Sequence, residues 1–247
     1  MVKVFIDFDG TVTRRDVGDA MFEQFGGQSS TEAVQQYLQE KISAVECFRR
    51  ECEACGEVDK PELDKFLDSQ EIDSTFPEFI DYCNAQTFEC RIVSDGMDYY
   101  IERILNRKGL GTIPIFSNRL DLRPVDGLSK VRFSPSFPFT DEICDRCACC
   151  KRNHLLSLSS DEDIIVYIGE GYSDRCPARH ADVVFAKDDL REYCRKENIS
   201  YHEYRTFSDV KQRLQQLQEK SGTRAHRVGL RKRRQAELGR REVFMGG

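Results

Sequence analysis

The sequence lacks several features that mark particular classes of protein. No apolar run approaches the roughly 20 residues needed to cross a bilayer, so we expect no membrane-spanning helix. Residues 1–9 carry no basic leader and no small-residue cleavage site, which predicts a cytoplasmic protein without a signal peptide. There is no internal repeat and no tryptophan. The four histidines are isolated, and none is assigned as a metal ligand.

Charge is distributed unevenly along the 247 residues. The net charge is −6, yet residues 221–247 contain eight Lys/Arg against two Asp/Glu, so the first 220 residues carry about −12. An acidic body makes nucleic acid an unlikely ligand. The basic tail has few large apolar residues and is predicted to be flexible, with binding of a polyanion left open.

Cysteine is abundant, but its number, eleven, is odd, and no export signal accompanies it, so a disulfide framework is not expected. Most of these residues are predicted to be buried thiols. The exception is a cluster formed by Cys144, Cys147, Cys149 and Cys150. Its C-x-x-C start suits zinc, although two adjacent cysteines cannot easily face one ion. A structural zinc site, a redox-sensitive disulfide and ordinary thiols all stay open.

Short apolar runs alternate with helical patterns over most of the chain. Strands are predicted at 2–8, 88–93, 164–168 and 183–185, which favours the α/β class with a doubly wound, mainly parallel, Rossmann-like sheet. Residues 14–75 show helical spacing and no strand pattern, which indicates a helical cap inserted after the first strand. We therefore expect a core at 1–13 and 76–220, a cap at 14–75 and a tail at 221–247.

Polar residues followed by glycine end three of the predicted strands. They are Asp7-Phe8-Asp9-Gly10, Ser94-Asp95-Gly96 and Gly169-Glu170-Gly171. Ligands of open α/β sheets lie beyond the carboxyl ends of the strands, so these groups are expected to converge. Asp7 and Asp9 would repel each other unless a cation intervenes, and oxygen ligands suit magnesium. One carboxylate could then attack phosphorus while the other exchanges protons.

These segments resemble the motifs of the haloacid dehalogenase (HAD) superfamily. Asp7-Phe8-Asp9-Gly10-Thr11-Val12-Thr13 looks like the first motif, Ser94 the second, Lys151 the third, and the turn from Gly169 to Asp174 the fourth. The helical insertion is similar to the cap of the phosphoserine-phosphatase-like branch. Within that branch, Ser94-Asp95-Gly96-Met97-Asp98, the cysteines before Lys151 and Phe185-Ala186-Lys187-Asp188-Asp189-Leu190 are most similar to the methionine-salvage phosphatases.

The resemblance implies a role for each matching residue. Asp7 is expected to be the nucleophile and Asp9 the general acid and base, with the backbone carbonyl of Asp9 on Mg²⁺. Thr11, Ser94, Gly96 and Lys151 are expected to hold the phosphate. Glu170 and Asp174 would complete the metal site, Asp174 through water or through Lys151. The family usually has aspartate where Glu170 stands, and the extra methylene moves the carboxylate by roughly 1.5 Å unless the backbone adjusts.

Asp16 and Arg50 are the candidates for substrate recognition on the cap side, with two solvated surface charges as the alternative. We expect a magnesium-dependent phosphatase that hydrolyses a small phosphate ester through an aspartyl-phosphate. Phosphoserine hydrolysis and phosphoryl transfer to a small molecule are alternatives on the same fold. A catalytically weak binding or regulatory protein is the alternative of another class. The sequence does not predict an oligomeric state.

Overall fold

The computed structural model describes residues 1–125, 129–142 and 144–219, and the basic tail predicted at 221–247 lies outside them. The strands in chain order are β1 (Val2–Ile6), β2 (Val58–Asp59), β3 (Glu89–Met97), β4 (Ile115–Pro124), β5 (Lys130–Ser136), β6 (Ile164–Gly169), β7 (Val183–Ala186) and β8 (His202–Glu203). The α-helices are α1 (Val17–Leu38), α2 (Ala44–Cys55), α3 (Lys60–Asp68), α4 (Phe76–Ala85), α5 (Asp98–Arg107), α6 (Lys151–Ser157), α7 (Arg175–Ala178), α8 (Asp188–Lys196) and α9 (Phe207–Glu219).

The chain folds into two compact units, and each is discontinuous in sequence. The first comprises Met1–Asp7, Asp73–Arg91 and the described residues from Lys151 onward. The second comprises Phe8–Ile72 and Ile92–Cys150. The partition predicted from the sequence, with a core at 1–13 and 76–220 and a cap at 14–75, follows other boundaries and stays a prediction.

The first unit contains a fully parallel sheet in the order β1, β6, β7, β8. Val4, Phe5 and Ile6 of β1 are buried completely, as expected for parallel strands covered on both faces. Ile6 is in register with Ile168 of β6, so both strands end at the same level. Asp7, the next residue, donates its N–H to the carbonyl of Ile168 at 2.9 Å. This places the Asp7 side chain at the carboxyl edge of the sheet.

The second unit combines one parallel and two antiparallel strand pairings among its described strands. β3 pairs with β4 in parallel, with a shift in register between Val93 and Met97. β4 and β5 form an antiparallel hairpin. The mainly parallel α/β class predicted from the sequence is confirmed.

Helices α1 to α3 occupy most of the segment predicted to be entirely helical. That prediction was too strict, because Val58 and Asp59 form the two-residue strand β2 against β5. A strand this short leaves no alternating pattern to read. Helix α1 is interrupted at Gly27, which leaves helical geometry at φ 58°, a conformation that glycine adopts readily. Within the described residues, no helix combines the length and apolarity needed to cross a membrane.

Candidate active site

The first unit contains a buried lysine ammonium group, that of Lys151, held between two carboxylates. Lys151 opens α6 and is 1% exposed. Its Nζ lies 2.6 Å from Oδ1 of Asp7, 2.6 Å from Oδ1 of Asp174 and 2.8 Å from the hydroxyl of Ser173. Burial alone would lower the pKa of Lys151, but the charges of Asp174 and Asp7 raise it well above its usual range. The ammonium ion therefore stabilises negative charge on Asp7.

Asp174 is fully buried and saturated with hydrogen bonds. Besides Lys151, its Oδ1 accepts from the hydroxyl of Tyr167 at 2.5 Å. Its Oδ2 accepts from the backbone N–H groups of Glu170 and Gly171 at 2.8 and 2.9 Å. Asp174 therefore orients Lys151 and shapes the turn that carries Glu170. Its predicted part in a metal site stays a prediction.

Tyr167 is a functional neighbour that the sequence did not reveal. It lies on β6, is completely buried and donates to Asp174. Burial, followed by the charges of Asp174 and Asp7, raises the pKa of Tyr167 well above its usual range. The phenol therefore remains a hydrogen-bond donor. In sequence it is one more apolar-looking residue of a core strand, seven positions before Asp174.

Glu170 carries a half-buried carboxylate on a rigid backbone. Its N–H is held by Asp174, and its carbonyl accepts from the N–H of Leu190 at 2.7 Å. Burial, followed by the charge of Asp174, raises the pKa of Glu170 to about 7. A nearby cation relieves such a penalty on a charged carboxylate. Because the backbone is fixed, the side chain must accommodate the extra methylene relative to aspartate.

The carboxylate oxygens of the first unit suit magnesium better than a metal ion whose ligands all come from the protein. Magnesium usually keeps several waters and takes one or two protein carboxylates together with phosphate oxygens of the substrate. Asp7 and Glu170 offer such carboxylates. Over residues 1–125, 129–142 and 144–219, no three His, Cys, Asp or Glu side chains form a ready-made ion cage. This finding leaves the predicted zinc site at the cysteine cluster without support.

The cysteines of that cluster engage separate partners instead. The thiol of Cys149 donates to the carbonyl of Phe116 at 3.8 Å, and its N–H donates to Asp95 at 2.6 Å. Cys147 and Cys150 are linked by a hydrogen bond between their thiols, which together with burial raises the pKa of Cys147. None of the eleven cysteines, all of which lie in the described residues, forms a disulfide. The cluster therefore packs the segment that precedes Lys151.

In the second unit, the loop after β1 is organised by Phe8 and Thr13. The carbonyl of Phe8 accepts the N–H groups of Thr11, Val12 and Thr13. The hydroxyl of Thr13 lies 3.1 Å from the Phe8 carbonyl, 2.8 Å from the Arg15 carbonyl and 3.1 Å from the Gly10 N–H. Gly10 has φ 67°, which favours glycine. Thr13 is thus a structural member of the motif, and Thr11 is buried within the same turn.

Both carboxylate oxygens of Asp9 accept hydrogen bonds from neutral donors. Its Oδ1 accepts the N–H groups of Val17 and Gly18, at 3.1 and 3.4 Å. Its Oδ2 accepts the hydroxyls of Tyr100 and Ser94, at 2.7 and 3.3 Å. Tyr100 was not singled out from the sequence. Burial, followed by the charges of Asp9 and Asp16, raises the pKa of Tyr100 well above its usual range.

The Ser94–Gly96 turn lies beside Asp9. Ser94 accepts the N–H of Gly96 at 2.9 Å, and a Cβ at Gly96 would overlap the hydroxyl of Tyr100. Helix α5 begins after Met97, which provides no side-chain cap. The structure thus brings Asp9, Ser94 and Gly96 together.

The two candidates for substrate recognition lie in different settings. Asp16 caps the N-terminus of α1 by accepting the N–H of Asp19 at 2.8 Å. Arg50, on α2, forms an ion pair with Glu46 at 2.7 Å and donates to the side-chain amide of Gln36. These contacts give both residues structural roles, and their roles toward a substrate stay predictions.

The model of the family described as Putative Phosphatase matches residues 2–220. The chain belongs to this phosphatase family. This chain is 31% identical over 224 residues to a 2-hydroxy-3-keto-5-methylthiopentenyl-1-phosphate phosphatase from Bacillus cereus. The match covers 88% of this chain and 98% of that protein. A protein of the same name from Bacillus thuringiensis is 30% identical, with the same coverage.

Solved structures agree on the fold of this phosphatase. A HAD family hydrolase from Salmonella enterica serovar Typhi matches with a TM-score of 0.64 and 20% identity, covering 83% of this chain and 68% of that one. A phosphoserine phosphatase, solved as an analogue of its phospho-aspartyl intermediate, matches with a TM-score of 0.62 and 16% identity, covering 83% and 94%. The family and its relatives confirm the prediction of a phosphatase enzyme, and the solved structures confirm the predicted HAD-like fold.

Proposed function

We propose that this phosphatase is a magnesium-dependent phosphomonoesterase that hydrolyses a small phosphorylated metabolite through an aspartyl-phosphate on Asp7. The observation that carries the proposal is the buried Lys151, which lies 2.6 Å from Asp7 and is held in place by Asp174 and Ser173. Lysine and carboxylate buried together are expensive to desolvate, so their presence indicates chemistry rather than stability.

The first step forms a bond between a carboxylate oxygen of Asp7 and phosphorus, and the bond between phosphorus and the ester oxygen breaks. Asp9 gives its proton to the departing ester oxygen. In the second step, Asp9 takes a proton from water, whose oxygen attacks the phosphorus. The bond from phosphorus to Asp7 then breaks, which releases inorganic phosphate and regenerates the carboxylate. Lys151 offsets negative charge on the phosphoryl oxygens throughout.

Asp7, Glu170 and the backbone carbonyl of Asp9 are the groups that would hold magnesium. When bound, the ion supplies positive charge that neutralises the transferring phosphoryl group. Asp174 acts on this arrangement through Lys151 and through the backbone of Glu170, both of which it orients.

The names of the relatives favour an enol-phosphate as the substrate. Those relatives are named for 2-hydroxy-3-keto-5-methylthiopentenyl-1-phosphate, and they align over 88% of this chain. We therefore place the same ester first among candidate substrates, which would give the enzyme a role in methionine salvage. Phosphoserine is the second candidate, because a phosphoserine phosphatase shares the fold.

The test is phosphate release from a panel that contains both esters and several alkyl and aryl phosphates. Each reaction is run with magnesium, with a chelator, and with Asp7→Asn as the blank. We expect release that requires magnesium, is absent in the variant and is fastest with the enol-phosphate. Release that is unaffected by the chelator or retained by Asp7→Asn would overturn the proposal.

A further inference from the structure

The two carboxylate oxygens of Asp9 accept hydrogen bonds from donors of different kinds. Two backbone N–H groups at the start of α1 reach Oδ1, whereas two hydroxyl groups reach Oδ2. The contact from Tyr100 is the shortest of the four, at 2.7 Å, and that from Ser94 is 3.3 Å. Tyr100 is therefore the nearer of the two hydroxyl donors to Oδ2.

The surroundings of Tyr100 are shaped around its hydroxyl group. Tyr100 is completely buried on α5, and its ring packs against Phe8, with centroids 6.2 Å apart. A Cβ at Gly18 would lie 3.1 Å from the hydroxyl oxygen, and one at Gly96 would overlap it. Two glycines thus leave room for a phenol oxygen beside Asp9, which packing of the ring alone does not require.

We propose that Tyr100 is a positioning residue of the phosphatase reaction, whose hydroxyl group fixes the Asp9 carboxylate in the orientation that exchanges a proton with the ester oxygen. The inference rests on the proposed role of Asp9 as general acid and base. Without the hydroxyl, Oδ1 keeps its backbone donors, whereas Oδ2 loses the 2.7 Å contact from Tyr100 and keeps the longer contact from Ser94. The carboxylate can then rotate away from the line of proton transfer.

Misplacement of a proton donor matters only where the leaving group needs a proton. An alkoxide departs poorly unless it is protonated, whereas p-nitrophenolate departs readily as an anion. The value of kcat/KM reports on the steps up to and including formation of the aspartyl-phosphate, and the ester oxygen leaves during that formation. A defect in positioning Asp9 therefore appears as a loss of kcat/KM for alkyl phosphates that p-nitrophenyl phosphate does not share.

The experiment compares Tyr100→Phe, Asp9→Asn and the wild-type protein on p-nitrophenyl phosphate and on the alkyl phosphate hydrolysed best in the panel above. Tyr99→Phe is the matched control, because its hydroxyl donates to Asp64 rather than to Asp9. For Tyr100→Phe we expect kcat/KM to fall about 10- to 100-fold with the alkyl ester and less than about 3-fold with the aryl ester. Thermal unfolding verifies that each variant is folded.

The outcomes separate the two proposals. If Asp9→Asn is selective for the alkyl ester and Tyr100→Phe is not, the inference about Tyr100 is overturned and the proposed function stands. If Asp9→Asn shows no selectivity, the role of Asp9 fails, and the inference about Tyr100 fails with it. An equal loss on both esters in Tyr100→Phe indicates a structural role and also overturns the inference.

Discussion

Replacement of Glu51 by glutamine tests how the helices of the second unit tolerate a buried acid. Glu51 lies on α2 and is 3% exposed, with Ser30 and Cys47 donating to its two carboxyl oxygens. Burial, followed by the charge of Asp19, raises the pKa of Glu51 from 4.5 to about 8. Glutamine keeps the shape and can still accept from Ser30, but it does not ionise.

The sign of the effect follows from proton uptake. Between pH 4.5 and about 8, the folded protein keeps the proton on Glu51, whereas the unfolded chain loses it. Stability therefore falls as the pH rises through that window, since the folded state binds more protons. A difference of about 3.5 pH units at about 1.4 kcal/mol per unit corresponds to roughly 5 kcal/mol.

The assay is urea unfolding under reducing conditions at several values of pH between 5 and about 8. We expect the free energy of unfolding of Glu51→Gln to rise relative to that of the wild-type protein as the pH rises. The titrations of other groups occur in both proteins and cancel in the difference between their free energies of unfolding. Glu53→Gln, at an exposed position of the same helix, serves as the control and should follow the wild type. A difference between Glu51→Gln and wild type that stays constant with pH would refute the reasoning.

Two further predictions concern the first unit. Lys151→Met leaves the carboxylates of Asp7 and Asp174 buried without their cation, so we expect a loss of about 3–5 kcal/mol in urea unfolding together with loss of turnover. Adding Asp174→Asn to that variant should recover stability without activity, and no recovery would contradict the ion-pair account. Glu170→Gln should raise the magnesium concentration for half-maximal activity about 10-fold or more, and Glu170→Asp should raise it less. Identical magnesium titrations for wild type and Glu170→Gln would exclude Glu170 from the metal site.

The position of Asp7 at the end of β1 was the most predictable part of the site. A strongly apolar strand followed by a polar residue and glycine marks the carboxyl edge of a parallel sheet. Asp7 and Lys151 are 144 positions apart, yet they meet in the structure. Lys151 itself was identified by resemblance to a family motif, since a lysine that opens a helix carries no signal of its own.

The phenol groups of Tyr100 and Tyr167 could not be predicted in the same way. An aromatic residue among apolar neighbours predicts core packing, and the partner of its hydroxyl depends on the fold. Tyr100 meets Asp9, which lies 91 positions away. Gly18 and Gly96 are far apart in the sequence. They become informative only once the fold brings both of them close to the hydroxyl group of Tyr100.

The sequence around Glu51 contains a pattern that could have predicted its burial. Cys47, Glu51 and Cys55 are spaced at intervals of four along α2, and all three are buried. One charged residue in an otherwise apolar stripe predicts either a buried acid or a surface helix of reduced amphipathicity. The choice between the two depends on what packs against that stripe, and here Ser30 of α1 supplies a hydrogen bond.

The central claim is that phosphoryl transfer passes through Asp7. Its most direct test is to quench the enzyme during turnover in magnesium, reduce it with borohydride and sequence the peptides by mass spectrometry. An acyl phosphate is reduced to the alcohol, so the account predicts homoserine at position 7, and none when the chelator is present or phosphate ester is omitted. Magnesium-dependent phosphate release with residue 7 recovered only as aspartate, while the modification falls on another residue, would contradict the account.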